Sequence, residues 1–386
     1  MSQLSFPDPA VIFQAAPPDT REQEVIGRVE ALRTRLRQLT GQRGRWVGTL
    51  RRVSLARAIR GSNSIEGYIV SLDDAVAVAD GEDPLDAAEE TAAAVRGYRD
   101  AMTYIVQLSD DANFSYDESL LRSLHFMMTQ YDLRNRPGLY RLGAIYVRDD
   151  SSGETVYEGP PGQDVRSLML ALTRALATAD ASEPAIVRAA MAHLNLVMIH
   201  PFKDGNGRMA RALQTLVLAR DGVLESPFCS VEEYLGHNTQ TYYRVLAEVG
   251  GGTWQPQRDS RQWVRFMLTA HLRQAMTLLR RADDYERLWD RLSELIARND
   301  LPERTITALS DAAMGFRVTN AIYRSHDEIG TDTASRDLRQ MVERGLLQAV
   351  GERRGRHYVG SGRLRDVWRA IRSQRRVDDQ VDPFAG

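Results

Sequence analysis

His200-Pro201-Phe202-Lys203-Asp204-Gly205-Asn206-Gly207-Arg208-Met209-Ala210-Arg211 is the stretch on which the reading of the chain turns. Apolar segments with helical spacing flank it at about 184–199 and 207–220, so it reads as a loop that opens the second helix. Gly205 and Gly207 leave backbone N–H groups uncovered, and the following helix adds the positive end of its dipole, a combination suited to phosphate. Arg208 and Arg211 are three residues apart. Both therefore fall on one face of the first turn, as charged forks for further phosphate oxygens. Asp204 adds a carboxylate beside those phosphates, where Mg²⁺ would be shared between protein and nucleotide. His200, at the other end of the loop, is a base near neutral pH. Phe202 has an apolar body and no reactive group, and reads as the loop's anchor in the core. Taken singly, these residues have bland readings as a turn, a helix-end histidine or a solvated acid. Their contiguity over one loop favours a catalytic one.

Outward from the loop the pattern is mostly helical. Residues 20–60 show amphipathic spacing through Val25, Val29, Leu32 and Leu36 and then Leu50, Val53, Ala56 and Ile59. Gly61 is expected to break that pattern, with a short helical turn at 62–66 closed by Gly67. Ser71, with an acid three residues on at Asp74, reads as a helix cap. Further helices are expected at about 86–108, 117–130, 164–178 and 184–199, the last capped by Ser182 with Pro184 in its first turn. Beyond the loop, helices are expected at about 231–249 and 258–298. The stretch 134–161 differs: β-type residues at 144–148 and 155–157, separated by Ser151-Ser152-Gly153, predict a hairpin. Leu301-Pro302 reads as a boundary. The chain thus divides into an N-terminal helical region (1–110), a central core (111–298) and a C-terminal module (301–376).

With 386 residues, 43% of them hydrophobic and 26% charged, the composition is that of an ordinary globular protein of more than one domain. The net charge of −2 excludes a chain that binds nucleic acid through its overall charge. The single cysteine, Cys229, excludes an intramolecular disulfide, and residues 1–18 lack the charge-then-apolar order of a secretory signal. No apolar run reaches the ~18 residues of a membrane span. A cytoplasmic protein without membrane contact is the expectation. Lys203 is the only lysine against 49 arginines, a bias that GC-rich coding explains, and it is grouped with the nucleotide-binding residues of the loop.

The loop resembles the signature of the Fic (filamentation induced by cAMP) family, His-Pro-Phe-x-Asp/Glu-Gly-Asn-Gly-Arg-x-x-Arg, at every fixed position. Arg136-Pro137-Gly138-Leu139-Tyr140-Arg141 looks like the family's Pro-Gly-x-aromatic-Arg segment, and residues 157–161 look like its flap. Ala192-His193, Ile199 and Tyr242-Tyr243 also fit. The resemblance implies a mainly α fold: a Fic helical core with a small β-hairpin flap, N-terminal helices and a C-terminal winged helix-turn-helix. It further implies a protein adenylyltransferase with ATP as substrate and Mg²⁺ as its metal. On that reading His200 deprotonates a target hydroxyl, Asp204 holds Mg²⁺, and Gly205, Asn206 and Gly207 cradle the anion, with the Asn206 side chain taking part. Arg208 and Arg211 hold the β- and γ-phosphates. The flap residues Thr155, Val156, Tyr157 and Glu158 align the target by strand pairing. The partner is a protein with a hydroxyl acceptor, the chain itself included, and a homodimer is an expected assembly because such relatives often dimerise. Other members move phosphate, UMP or phosphocholine, or remove AMP. His193, seven residues before His200 on the same helix face, is expected to be structural.

Ser62-Asn63-Ser64-Ile65-Glu66-Gly67 resembles the family's inhibitory motif, Ser/Thr-x-x-x-Glu-Gly/Asn. By that resemblance Ser62 and Glu66 are inhibitory residues, with Glu66 competing against ATP for Arg211.

The C-terminal module, 301–376, carries 15 arginines and 9 acids, a local charge of +6. An amphipathic helix over 333–345 precedes strand-like segments at 346–350 and 357–359, which flank the basic turn Glu352-Arg353-Arg354-Gly355-Arg356. That order suggests a winged helix-turn-helix, with 331–360 contacting DNA as a regulator would. A docking or dimer module is the competing reading.

Overall fold

The computed structural model of the chain describes residues 11–384 except 42, 43, 45, 149–152, 179–181, 353, 354 and 375–381. Residues 1–10 of the N-terminal segment, Ser151 and Ser152 of the hairpin turn, and Arg353 and Arg354 of the basic turn lie outside the described residues.

Helix α1 (Thr20–Thr40) starts at Asp19, whose side chain accepts the Glu22 N–H, while the Glu22 carboxylate accepts the Asp19 N–H. This reciprocal pair satisfies two N–H groups at the helix start. Helix α2 runs unbroken over Trp46–Ile65, so the predicted break at Gly61 does not occur. Gly61 is there because of what it packs on: a Cβ would stand 2.5 Å from the Glu232 carbonyl oxygen. Intrinsic helix propensity gives way to a close backbone crossing. Helix α3 (Leu72–Ala79) has the expected cap, with the Ser71 hydroxyl accepting the Asp74 N–H at 3.0 Å.

Helices α4 (Glu89–Ser109) and α5 (Glu118–Thr129) follow, then the antiparallel hairpin of β1 (Tyr146–Arg148) and β2 (Thr155–Glu158). After α6 (Val165–Ala177) come α7 (Ala185–Ile199) and α8 (Asn206–Arg220), the pair that carries the loop and packs side by side. Ser182 does not cap α7. Pro184 occupies the N-cap position, where its fixed φ and missing N–H cost nothing.

After α9 (Ser226–Cys229), the single helix expected over 231–249 is split into α10 (Glu232–His237) and α11 (Thr239–Gly250). Asn238 separates α10 from α11, its side-chain amide donating to the Tyr234 carbonyl at 2.8 Å. Helix α12 (Arg261–Arg298) spans 38 residues, about 57 Å at 1.5 Å per residue.

One continuous apolar core joins α1, α2, α4, α7, α8 and the first half of α12. A second core gathers Leu288, Leu292 and Ile296 from the end of α12 with α13 (Ile306–Met314), α14 (Asn320–Asp327), α15 (Thr331–Glu343) and α16 (Gly362–Ser373). Its hairpin pairs β3 (Leu347–Val350) with β4 (His357–Gly360), and Val318 adds a bridge to Tyr358 through two backbone hydrogen bonds of 2.8 Å. The last turns of α12 are thus shared with the C-terminal module. Among the described residues no helix is long and apolar enough to cross a membrane.

Candidate active site

Helix α7 ends at His200, which adopts a left-handed conformation with φ 49° and ψ 59°. Such a backbone costs a non-glycine residue about 1–2 kcal/mol and persists only where neighbours hold it. Arg141 does the holding. Its guanidinium donates to the carbonyls of His200 (2.7 Å), Gly143 (2.6 Å), Pro160 (2.7 Å) and Ile199 (3.2 Å), and its own N–H donates to the Pro201 carbonyl at 2.9 Å. Five carbonyls around the loop are fixed by one residue.

The His200 ring directs Nδ1 to the Val197 carbonyl at 3.1 Å. An N–H there makes Nδ1 the donor and leaves Nε2 with its lone pair. Burial pushes the imidazole pKa down to about 4, against the opposing effect of the Val197 carbonyl. His200 is therefore a neutral base at physiological pH.

Gly205 begins α8 with φ +76°, and a Cβ there would stand 2.8 Å from the Thr129 methyl. Both the dihedral and the contact require glycine. From Gly205 the chain presents the unpaired N–H groups of the first turn of α8. The Asn206 side chain does not face that cradle, contrary to expectation. Its amide closes the loop from inside, accepting the Phe202 N–H at 2.9 Å and donating to the Phe202 carbonyl at 3.0 Å. Only the backbone of Asn206 is available to an anion. Lys203 also points elsewhere, its ammonium donating to the Arg134 carbonyl at 3.1 Å.

The two arginines are buried to 1% exposure and differ in their partners. Arg208 lies under the rings of Tyr68 and Tyr131, at 5.2 and 5.9 Å from their centroids. It donates to the Tyr131 hydroxyl (3.2 Å) and to Asp204 (3.3 Å), and its Nε has no hydrogen-bond partner among the described residues. Arg211 donates through Nε to the Ser62 hydroxyl (2.8 Å) and through one terminal nitrogen to the Ser62 carbonyl (3.0 Å) and Glu66 Oε1 (2.6 Å). Its other terminal nitrogen, Nη1, is buried beside Gly207 with no hydrogen-bond partner among the described residues. Burial disfavours the Arg211 charge, and Glu66 outweighs it, so the guanidinium pKa rises. The Glu66 carboxylate lies over Gly207 so closely that a Cβ on Gly207 would meet its Oε1. Ser62 and Glu66 thus come together with Arg211 at the start of α8.

Asp204 is 40% exposed at its side chain, open to a ligand. Its carbonyl accepts from His125 Nε2 at 2.8 Å, and His125 Nδ1 accepts the Gly138 N–H at 2.8 Å. His125 also stacks on Phe202 with ring centroids 3.7 Å apart. This brace was not legible in advance, because His125 lies 79 residues from Asp204. His193 is fully buried, between Gln214 Oε1 (2.6 Å) and the Tyr242 hydroxyl (2.9 Å). Among the described residues no cluster of three His, Cys, Asp or Glu side chains is shaped to hold a metal alone. Asp204 suits Mg²⁺ in a different way, as the single carboxylate of an ion shared with substrate phosphates.

The hairpin lies beside the end of α7. Tyr157 is buried and donates its hydroxyl to the Met198 carbonyl at 2.9 Å. It therefore anchors the flap, and its side chain is not available to a target, unlike the exposed Thr155, Val156 and Glu158. The Glu158 N–H is already taken by the Gly252 carbonyl at 2.8 Å.

Residues 115–218 match the model of the Fic/DOC family, and this central segment is a Fic domain. The chain is similar to the protein adenylyltransferase Fic of Culex quinquefasciatus, 34% identical over 167 residues, which are 41% of this chain and 30% of that protein. It is also 60% identical over 37 residues to the protein adenylyltransferase fic-1 of Caenorhabditis elegans, covering 10% of this chain and 7% of that one. The matched stretches thus span less than a third of these curated relatives. In fold, the chain resembles a Fic family protein from Desulfovibrio desulfuricans, with a TM-score of 0.59, 23% identity and coverage of 91% and 99% of the two chains. A Fic-1 segment from C. elegans superposes with a TM-score of 0.54 at 21% identity, over 67% of this chain and 72% of that one. The mostly helical body with two small antiparallel hairpins is the fold these structures share with it.

Proposed function

We propose that the chain is a protein adenylyltransferase, moving AMP from ATP to a protein hydroxyl, and that Glu66 holds it off. The observation that carries this is the Nη1 of the buried Arg211, which has no hydrogen-bond partner among the described residues, beside the N–H groups of α8 and across the loop from a neutral His200. A buried guanidinium with an unused donor calls for an oxyanion. ATP phosphates fit this cradle, and the curated relatives carry the name adenylyltransferase.

In the reaction the target hydroxyl oxygen attacks the α-phosphorus of ATP and its proton passes to His200 Nε2. The bond from the α-phosphorus to the oxygen bridging to the β-phosphate breaks, and pyrophosphate leaves. Mg²⁺ held at Asp204 would neutralise phosphate charge when bound. Arg208 and Arg211 bind the outer phosphates, and Arg141 keeps His200 in place. Target alignment by the flap falls to the backbone of β2 and the exposed Thr155, Val156 and Glu158. Glu66 puts a carboxylate where the phosphate would go, so nucleotide and Glu66 compete for one arginine.

Intact mass after incubation with ATP and Mg²⁺ tests the reading. Glu66→Gln should gain AMP, and Glu66→Gln with His200→Ala should not. A different increment would name another nucleotide, and no increment with any hydroxyl protein substrate would reject the transferase.

A second reading concerns the C-terminal module. Helix α15 turns Asp337 inward onto Arg304 (2.7 Å) and the Tyr323 hydroxyl (3.0 Å), which leaves Arg336 and Arg339 on its exposed face with Arg356 beyond in the hairpin turn. We propose DNA contact through 331–360 on that basis. Gel shifts should weaken steeply with salt, and absence of binding to genomic fragments at low salt would favour protein docking.

A further inference from the structure

Past the end of α2 the chain runs Glu66-Gly67-Tyr68, and these three residues close the helix in one compact turn. The Tyr68 N–H reaches back to the Asn63 carbonyl at 3.0 Å and the Gly67 N–H to the Ser64 carbonyl at 3.2 Å, with Gly67 at φ +85°. Such nested bonds around a left-handed glycine satisfy two of the helix-end carbonyls and fix the residues on either side of the glycine relative to each other. Both flanks of the turn are tied as well. The Tyr243 hydroxyl donates to the Ile65 carbonyl at 3.3 Å, and Arg60 Nε donates to the Val70 carbonyl at 3.1 Å.

Glu66 and Tyr68 thereby land on the two arginines of α8. Glu66 takes Arg211. The Tyr68 ring lies over Arg208, with the guanidinium carbon 5.2 Å from its centroid, and stands edge-on to the Tyr131 ring. The Tyr68 hydroxyl accepts from Tyr131 at 3.0 Å, and the Tyr131 hydroxyl accepts from Arg208 Nη1. An aromatic face attracts a guanidinium, the more so where water is excluded. Arg208 is only 1% exposed, so a phosphate reaches its guanidinium only after something moves. Tyr131, two residues past α5, and Asp204, in the loop itself, both belong to the Fic domain. Tyr68 comes from outside that domain, on the turn that carries Glu66.

We propose that Tyr68 is a second autoinhibitory group, its ring closing Arg208 while the Glu66 carboxylate closes Arg211. The proposal rests on the two arginines being the grips for the outer phosphates of ATP, as argued above. One turn then shuts both grips, and removing the Glu66 charge opens only one of them. Glu66→Gln is active but still partly closed, and the remaining block is the ring.

The full chain carrying Glu66→Gln is compared with the same chain carrying Tyr68→Ala in addition, which removes the ring and keeps the backbone N–H that ends α2. AMP incorporation gives the ATP KM, and calorimetry gives the affinities for ATP and for AMP. Losing the ring should lower both the KM and the Kd for ATP about threefold or more. The Kd for AMP should move less than about twofold, because AMP lacks the phosphates that an arginine fork would grip. A raised ATP Kd would make Tyr68 a support of Arg208 and overturn the proposal, as would an unchanged one. An equal gain for AMP would also overturn it, since a merely loosened turn admits both nucleotides alike. Should Tyr68→Ala show no cooperative melt, Tyr68→Gln takes its place and must meet the same signs. Absence of AMP incorporation in every variant rejects the transferase reading instead, and the two calorimetric affinities then decide the part of Tyr68.

Discussion

Replacing Glu66 by Gln removes one charge and almost no volume, and it should move activity and stability in opposite directions. The pair it breaks has an N···O distance of 2.6 Å, with Arg211 exposed to 1% and Glu66 to 24% at the side chain. At about 4 Å between charge centres and an effective dielectric of ~20, the Coulomb attraction is about 4 kcal/mol. The partial exposure of Glu66 lets solvent screen it, which brings the usable figure to about 2–3 kcal/mol. ATP must overcome that amount to reach Arg211, so at subsaturating ATP the rate should rise about 30–150-fold at 1.4 kcal/mol per tenfold. The folded state loses the same pair, and its unfolding free energy should fall by about 2 kcal/mol. Initial rates with radiolabelled ATP measure the first, and urea titration the second. An unchanged rate in a protein destabilised as expected would refute the competition, since the pair would then matter to the fold and not to ATP.

Acid should destabilise the protein well above the carboxylate range. Burial pushes His125 down to about 4 and both His193 and His271 to about 3, from 6.5 in the unfolded chain. The unfolded state therefore binds protons that the folded state refuses as pH falls through 6.5. Each such histidine removes about 1.4 kcal/mol per pH unit below that point, roughly 4 kcal/mol for three. Urea midpoints that stay level between pH 7 and pH 5 would contradict this. Arg141→Lys should cut AMP incorporation at least ~tenfold while ATP affinity changes by less than about twofold, because one ammonium cannot replace a planar fork that spans several carbonyls. Retention of full kcat would show that the His200 backbone needs no such brace.

How legible the site was in the sequence depended on distance along the chain. His200, Asp204 and the two arginines share one loop and one helix turn, so spacing alone places them together. The Ser71 cap and the β1–β2 hairpin are equally local. Gly61 misleads because its reason lies 171 residues away, at the Glu232 carbonyl. Asn206 misleads for a subtler reason: a Gly-Asn-Gly loop does not reveal whether its amide faces the ligand or its own backbone. Arg141 stands in a segment that looked significant, yet its targets are carbonyls, which carry no residue-type signal at all. The same holds for Asn195, which pins the N-terminal segment to α7 by bonding both the N–H and the carbonyl of Phe13, at 2.8 and 3.0 Å.

The misread glycine also explains how the arginine is divided between its partners. A Cβ on Gly236 would stand 3.2 Å from the Cα of Gly61, so α2 and α10 touch backbone to backbone. At that crossing there is no side chain to repack, and sliding α2 would break contact with the Glu232 and Glu233 backbone at once. Ser62 lies directly after the crossing and is held with it. Glu66 lies one residue past the end of α2, in a turn that Gly67 leaves with φ +85°. The groups that aim Arg211 are therefore built on the fixed helix, and the carboxylate that occupies it is carried on the turn. Freeing the arginine requires rotation of that turn or of one side chain, with the helix left in place.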